Sequence, residues 1–397
     1  MSGRDLFCQP RRFRRGAALT LVFAGVLVAG AATGSLPVAE PRPAPEPGTT
    51  SAAAPAGRHD APVPAGREDI AEAAAEAMAE GKSPVEAAER AVSRSGERWD
   101  AVYTEGEYAE FEEALDGEYT GVGVSARRER DGRIEVTEVS TGSPAAGAGV
   151  RAGDRLMSVD GRSVAGLPVT EVVALLRGDA EDADAGTSVR LGLERGTRAW
   201  EQVLRRARLS TDPVTVSALP GGVTVIKVIA FTKGSGASVR DAVREAPDGT
   251  GVVLDLRGNS GGLVTEAVTA ASAFLDGGLV ATYDVDGAER ALHAESGGDT
   301  ARPLVALVDG GTMSAAELVT GALQDRGRAV VVGSRTFGKG SVQMPTPLPD
   351  GSVAELTVGH YRTPAGRTVD GEGITPDLEA DAGALDRAET VLTGLGR

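Results

Sequence analysis

The spacing of apolar positions changes period several times along this chain, and the changes outline its elements. An apolar run, Pro303-Leu-Val-Ala-Leu-Val308, ends at the turn residues Asp309-Gly310-Gly311. Ser314-Ala-Ala-Glu317 follows, with Leu318, Val319, Ala322 and Leu323 at helical spacing. A second β-branched run, Val330-Val-Val332, leads to Lys339 between two glycines. The pattern predicts strand, tight turn, helix, strand and then an extended, glycine-flanked lysine. Between Leu209 and Leu378 the same alternation continues, with strands expected over 223–229 and 251–256, helices over 238–245 and 263–275, and an extended tail over 354–361. This is α/β organisation, in which loops at strand ends are the natural place for a site.

Upstream the pattern differs. Residues 117–208 read as a small β-rich module: Ile134-Glu-Val-Thr-Glu-Val139 alternates with period two, and Asp160-Gly161 is a hairpin signal. A helix is expected over 170–177, and a last strand over 188–194 after a solvated loop at Glu181-Asp-Ala-Asp184. Residues 67–117 are Ala/Glu-rich helix, one segment starting at Ser83 with Pro84 in its first position. Tyr108, Phe111 and Leu115, at i, i+3 and i+7, read as packing. Residues 37–66 are Pro-, Ala- and Gly-rich and predict an extended spacer. Arg11-Arg-Phe-Arg-Arg15 before an apolar stretch over 16–32 has the pattern of an export signal, with Ala29-Gly-Ala31 as a candidate cleavage site. The stretch is almost long enough to stay as an anchor, so membrane attachment through residues 16–36 is left open.

Composition narrows the chemistry. A net charge of −16 argues against nucleic acid as a partner. Cys8 is the single cysteine and lies ahead of the apolar stretch, so no disulfide or thiolate metal site is expected in the folded part. His59, His293 and His360 stand at no metal-ligand spacing, so neither metal nor cofactor is expected.

Two tempting motifs fail on their neighbours. Gly258-Asn-Ser260-Gly-Gly262 is similar to the nucleophile loop of trypsin-like proteases, but the only upstream histidine, His59, lies in the proline-rich spacer. Gly333-x-x-x-x-Gly338-Lys339 is part of a phosphate loop, but Gly340 stands where Ser or Thr is needed and no helix can follow. Ser314-x-x-Glu317 taken alone is a capping box, and Lys339 taken alone is a surface lysine. Together they suggest a serine at a helix N-terminus served by a desolvated lysine, whose pKa would fall from roughly 10.4 towards neutrality. A hydrogen bond from Gln343 would hold the neutral amine.

Five stretches, with a matching tail, carry a family resemblance. They are Tyr119-Thr-Gly-Val-Gly, the run Ser143-Pro-Ala-Ala-Gly-Ala-Gly-Val-Arg-Ala-Gly-Asp154 with Leu156 to Gly161, Leu254-Asp-Leu-Arg-Gly-Asn-Ser-Gly-Gly-Leu263, Gly311-Thr-Met-Ser-Ala-Ala-Glu317 on to Asp325, and Val332 to Gln343; the tail is Tyr361 to Asp377. The second resembles a PDZ domain. The set resembles the carboxy-terminal processing peptidases, the S41 family of Ser–Lys proteases, over about residues 100–380. The resemblance implies a crotonase/ClpP-like α/β catalytic core with an inserted β-rich PDZ domain and an N-terminal helical region. It implies Ser314 as nucleophile, Lys339 as general base, Gln343 as its orienting group, and the backbone N–H groups of Gly262 and Ala315 as oxyanion hole. Gly121, Val122, Gly123 and Val124 would hold a peptide tail added as a strand, its carboxylate on backbone N–H groups. Met313, Ala316 and Ser260 depart from the family's usual residues, at positions that bear no role.

The expected division is 1–36 signal or anchor, 37–66 linker, 67–117 helical region, 118–208 PDZ domain, 209–380 peptidase core and 381–397 C-terminal helix. The expected activity is an exported serine endopeptidase acting through an acyl-enzyme on proteins with exposed apolar C-terminal tails. The helical region leaves room for a homo-oligomer. The rival expectation is a non-catalytic PDZ adaptor that presents envelope proteins to another protease.

Overall fold

A computed structural model describes residues 67–129, 131–178, 184–285 and 288–395. The export pattern, the spacer and most of the Glu181–Asp184 loop lie outside the described residues. No described helix is long and apolar enough to cross a membrane.

The core is built on a six-stranded sheet in the order Val214–Ala218, Thr224–Val228, Val252–Asp255, Leu304–Val308, Val330–Gly333, Leu378–Glu379. The first pair is antiparallel and every later pair parallel. Parallel strands covered on both faces need apolar residues at every position, which is why the runs at 252–255 and 304–308 do not alternate. One face (Ile226, Leu254, Ala306, Val331) packs on the helices Ser235–Glu245, Val264–Ser272 and Ala315–Asp325. The other face (Val225, Val253, Val305, Val332) packs on Ala384, Ala388 and Leu392 of the helix Ala384–Leu395, which gives that terminal segment a structural role.

The β-rich module forms its own core around Ile134, Val136, Leu156, Val172 and Leu191. Its sheet runs Val124–Arg128, Ile134–Val139, Arg155–Val159, Ser188–Arg195, Arg198–Arg205, so 124–128 is an edge strand. Asp160 and Gly161 both take positive φ, 48° and 80°, as the turn into Arg162–Ser163 requires. The strand over 188–194 is not the last of the module: Arg198–Arg205 pairs with it along its full length. Strand Ala207–Ser210 then returns to pair with Glu118–Gly121, so the chain enters and leaves the module side by side.

The N-terminal helices Arg67–Ala79 and Pro84–Ser95 bury Ile70, Ala74, Ala88 and Ala91 against Leu356 of a second sheet and Leu348 in the turn beside it. Ser83 caps the second helix, its hydroxyl accepting from Glu86 N–H. In the second sheet Ser341–Pro347 and Ala101–Tyr103 both pair with the long strand Val353–Arg362. The N-terminal region is thereby fastened to the segment that follows Lys339.

Candidate active site

Three loops meet at the carboxyl ends of the parallel strands, where open α/β sheets form their crevices. They follow strands 252–255, 304–308 and 330–333, and they carry Gly262, Ser314 and Lys339 respectively.

The first two loops are laced by buried polar groups. The Asp309 carboxylate accepts from the N–H groups of Gly258 and Gly311, each at 2.9 Å. Asn259, fully buried, donates from its side chain to the Val228 carbonyl and accepts from Gly261 N–H, while its own carbonyl accepts from Met313 N–H. At the base of the first loop the Arg257 guanidinium lies 2.6 Å from the Asp255 carboxylate. Burial works against the Asp255 charge, but Arg257 and Lys227 outweigh it and hold the carboxyl below its usual range. The lacing brings backbone against backbone. A Cβ on Gly261 would lie 2.9 Å from Ser314 Cβ, and one on Gly262 would lie 2.4 Å from the Phe231 carbonyl oxygen. Only glycine fits either place.

Ser314 stands at the N-cap of helix 315–325 with φ 55° and ψ −119°, outside the regions that L-residues favour. Such strain persists where surrounding structure enforces it, and it concentrates at functional sites. The Glu317 N–H donates to the Ser314 backbone carbonyl at 2.8 Å. Glu317 does more than close a cap. Fully buried, its carboxylate accepts four hydrogen bonds: Ser314 N–H at 2.9 Å, Thr336 hydroxyl at 2.5 Å, Gly338 N–H at 2.7 Å and Lys339 N–H at 2.9 Å. Burial pushes its carboxyl up, while the four donors favour the charged form. A second clamp works on the carbonyls. The buried Tyr361 hydroxyl lies 2.6 Å from the Ser314 carbonyl oxygen and 2.7 Å from that of Lys339. Burial pushes its phenol well above the ordinary range, so the clamping proton stays on. The backbones of Ser314 and Lys339 are thus tied to each other twice, through shared buried groups.

Lys339 keeps some contact with solvent, but burial pushes its ammonium below the ordinary lysine range, against the opposing pull of Glu355. Its amine lies 5.2 Å from the ring centroid of Trp99. No hydrogen bond joins the Lys339 amine to the Ser314 hydroxyl among the described residues. Gln343, expected to orient that amine, is engaged elsewhere: its side-chain nitrogen donates to the Trp99 carbonyl. The register of its strand shifts between Val342 and Gln343, and the loop before strand 101–103 brings the Trp99 carbonyl alongside. Gly262 is partly exposed and Ala315 is buried beside Ser314, and neither N–H donates to a protein acceptor among the described residues.

The tail-binding candidates lie in the other domain. Gly121, Val122, Gly123 and Val124 line a groove of 530 Å³ together with Val173 and Leu176 of helix Val169–Arg177 and with Thr211 and Ile229. Gly123 has φ 78°, and a Cβ there would lie 2.2 Å from Ser143 Cβ. Val122 is buried, its carbonyl accepting from Ala145 N–H. Strand 124–128 bounds the groove with its outer edge unpaired in the sheet. Among the described residues no group of acidic, histidine or cysteine side chains is arranged to hold a metal. Spacing could not have revealed Trp99 or Tyr361, which reach the site from distant parts of the chain; Thr336 lies in the lysine's own loop but carried no signal, and Glu317 was visible only as a helix cap.

Comparison with known proteins agrees with this architecture. The profile of Peptidase family S41 matches residues 222–380, and a PDZ domain profile matches 135–195. The carboxy-terminal processing protease CtpA of Bacillus subtilis is 33% identical over 276 residues, which are 68% of this chain and 58% of that one. The chloroplastic C-terminal processing peptidase of Tetradesmus obliquus is 35% identical over 288 residues, 68% of this chain and 62% of that protein. The chain therefore spans less than two thirds of the length of these curated relatives. Among solved structures, the photosystem II D1 C-terminal processing protease superposes with a TM-score of 0.50 at 30% identity, covering 79% of this chain and 86% of that one. With a sheet of the same class, a PDZ module ahead of it and identity at this level, the chain belongs to peptidase family S41, among the carboxy-terminal processing peptidases.

Proposed function

We propose that the protein is an exported serine endopeptidase that grips protein C-terminal tails in its PDZ groove and cuts the adjoining chain by a Ser–Lys mechanism. The observation that carries this reading is the double tie between Ser314 and Lys339, through the Glu317 carboxylate and the Tyr361 hydroxyl. Two buried polar groups that hold the backbone of a strained serine to that of a desolvated lysine support the reading of a nucleophile and its base. Lys339 takes the Ser314 proton as Oγ attacks the scissile carbonyl, and the N–H groups of Gly262 and Ala315 receive the oxyanion. The proton passes to the leaving amine as the C–N bond breaks, giving an acyl-enzyme. Water, deprotonated by the neutral amine, then releases the new C-terminus. Gln343 would join the amine once it leaves the Trp99 carbonyl. Export rests on the basic and apolar pattern over 11–32.

The groove between strand 124–128 and helix 169–177 supports a tail that adds as a strand, its apolar side chains set against Val173 and Leu176. Purified protein beginning at residue 67 should cleave an unstructured substrate ending in apolar residues, and amidating the terminal carboxylate should slow cleavage about tenfold or more, a cost in line with losing a charge-assisted hydrogen bond. Equal rates for acid and amide would remove the tail-capture part of the reading. Binding without any cleavage would favour the adaptor.

A further inference from the structure

The loop between helix Pro84–Ser95 and strand Ala101–Tyr103 reaches the site from the N-terminal helical region and places a tryptophan over the lysine. Resting on the Ser–Lys reading above, we propose that Trp99 is a positioning residue for Lys339, its ring roofing the amine against water and its carbonyl holding Gln343. The amine lies 5.2 Å from the indole centroid. On its other contacts the indole meets Phe337, at 5.5 Å between centroids, and the Arg98 guanidinium, at 4.6 Å. The loop is pinned next to Gln343: the Asp100 carboxylate accepts from Thr357 N–H at 2.6 Å, and Thr357 is the register partner of Gln343. One short loop therefore controls both the solvent above the amine and the partner available to it.

The charged and titratable groups around Lys339 set the sign of the effect. Glu355, on strand 353–362, favours the ammonium, and the Tyr108 hydroxyl lies 3.5 Å from its carboxylate. The Glu317 carboxylate and the Tyr361 hydroxyl face the Lys339 backbone, and Asp370 accepts from Gly340 N–H. The Arg98 guanidinium already draws on the π-density of the indole, so a second cation gains less there. Burial is the largest influence on the amine and favours its neutral form. Stripping the roof admits water and shifts the balance back towards ammonium.

The test is the pH dependence of kcat/KM on a tail peptide. Activity rises with pH as the amine loses its proton. In Trp99→Ala the rising limb should move up by about one pH unit, with roughly tenfold less activity at pH 7 that recovers in alkali. Trp99→Phe, which keeps an aromatic roof, should hold the limb within a few tenths of a unit of wild type. A uniform loss with no movement of the limb, or movement to lower pH, would overturn the proposal. A readout that leaves Trp99 intact guards against misfolding of the alanine variant. The chain has two tryptophans, so Trp200→Phe makes Trp99 the single indole. Its fluorescence should then titrate with pH, and Lys339→Met should erase that titration; a titration that survives Lys339→Met would also overturn the proposal. Ser314→Ala separates the two levels. If it is inactive while the Trp99→Ala limb stays put, only the roof is lost; if it still cleaves, the Ser–Lys reading itself fails.

Discussion

Lys339→Met should abolish peptide cleavage, by roughly a thousandfold or more, and yet leave the protein as stable as wild type or more so. The two halves of this result have one cause. The lysine sits where burial favours the neutral amine, so its folded pKa lies below the unfolded value. In the window between those two values the unfolded chain binds more protons, and stability rises with pH. Below the folded value the penalty of a buried ammonium is fully present; above the ordinary lysine range it is gone. Methionine has similar reach and no charge, so it removes the penalty. The gain in thermal stability should therefore appear at neutral and acid pH and shrink as the pH approaches the ordinary lysine value. Denaturation measured across pH alongside steady-state cleavage checks both halves. A surface lysine of no catalytic consequence would show neither the loss nor the gain.

Glu317→Gln should cost both activity and stability. Every partner of the carboxylate is a donor, and three of the four are backbone N–H groups that cannot turn away. A glutamine amide offers one oxygen and one NH₂ group. Placed towards Thr336 and Gly338, the NH₂ faces Gly338 N–H; placed the other way, it faces the N–H groups of both Ser314 and Lys339. Thr336 has little freedom to adapt, because its hydroxyl already accepts from Ile374 N–H at 2.6 Å. At least one buried donor is left unpaired in either orientation. The expected destabilisation is about 2–3 kcal/mol by urea denaturation. Turnover should fall more than tenfold with little change in KM, since in the proposed mechanism the clamp fixes the reacting groups and not the tail. A variant with wild-type turnover would show that Glu317 is only a helix cap.

The alternation of strand and helix from 223 to 333 was legible because strands 252–255, 304–308 and 330–333 are almost wholly apolar and end at aspartate or glycine. Strand 198–205 was not, since its side chains are mostly exposed and Arg198-Ala-Trp-Glu-Gln-Val-Leu-Arg205 shows little alternation. The hairpin Leu279–Val285 and Ala288–His293 escaped notice for a similar reason: its second strand is almost wholly exposed. In the candidate site, Ser314, Lys339 and the glycine pair could be chosen because their stretches read together carry the family resemblance, though the serine and the lysine taken alone are bland. The groups that hold them could not. Tyr361 lies 47 residues beyond Ser314, and Trp99 lies 244 residues before Gln343, so only the folded sheet brings them together. The same distance explains the position of Gln343, whose strand register and neighbouring loop decide which partner its amide meets.

The central claim, that Lys339 activates Ser314, is tested most directly by covalent labelling with a fluorophosphonate, the adduct being located by mass spectrometry. The account predicts one phosphonylated residue, Ser314, formed at a rate that rises with pH as the amine deprotonates, and loss of that labelling in Lys339→Met. Labelling at another residue, or labelling of Ser314 at an undiminished rate in Lys339→Met, would contradict it.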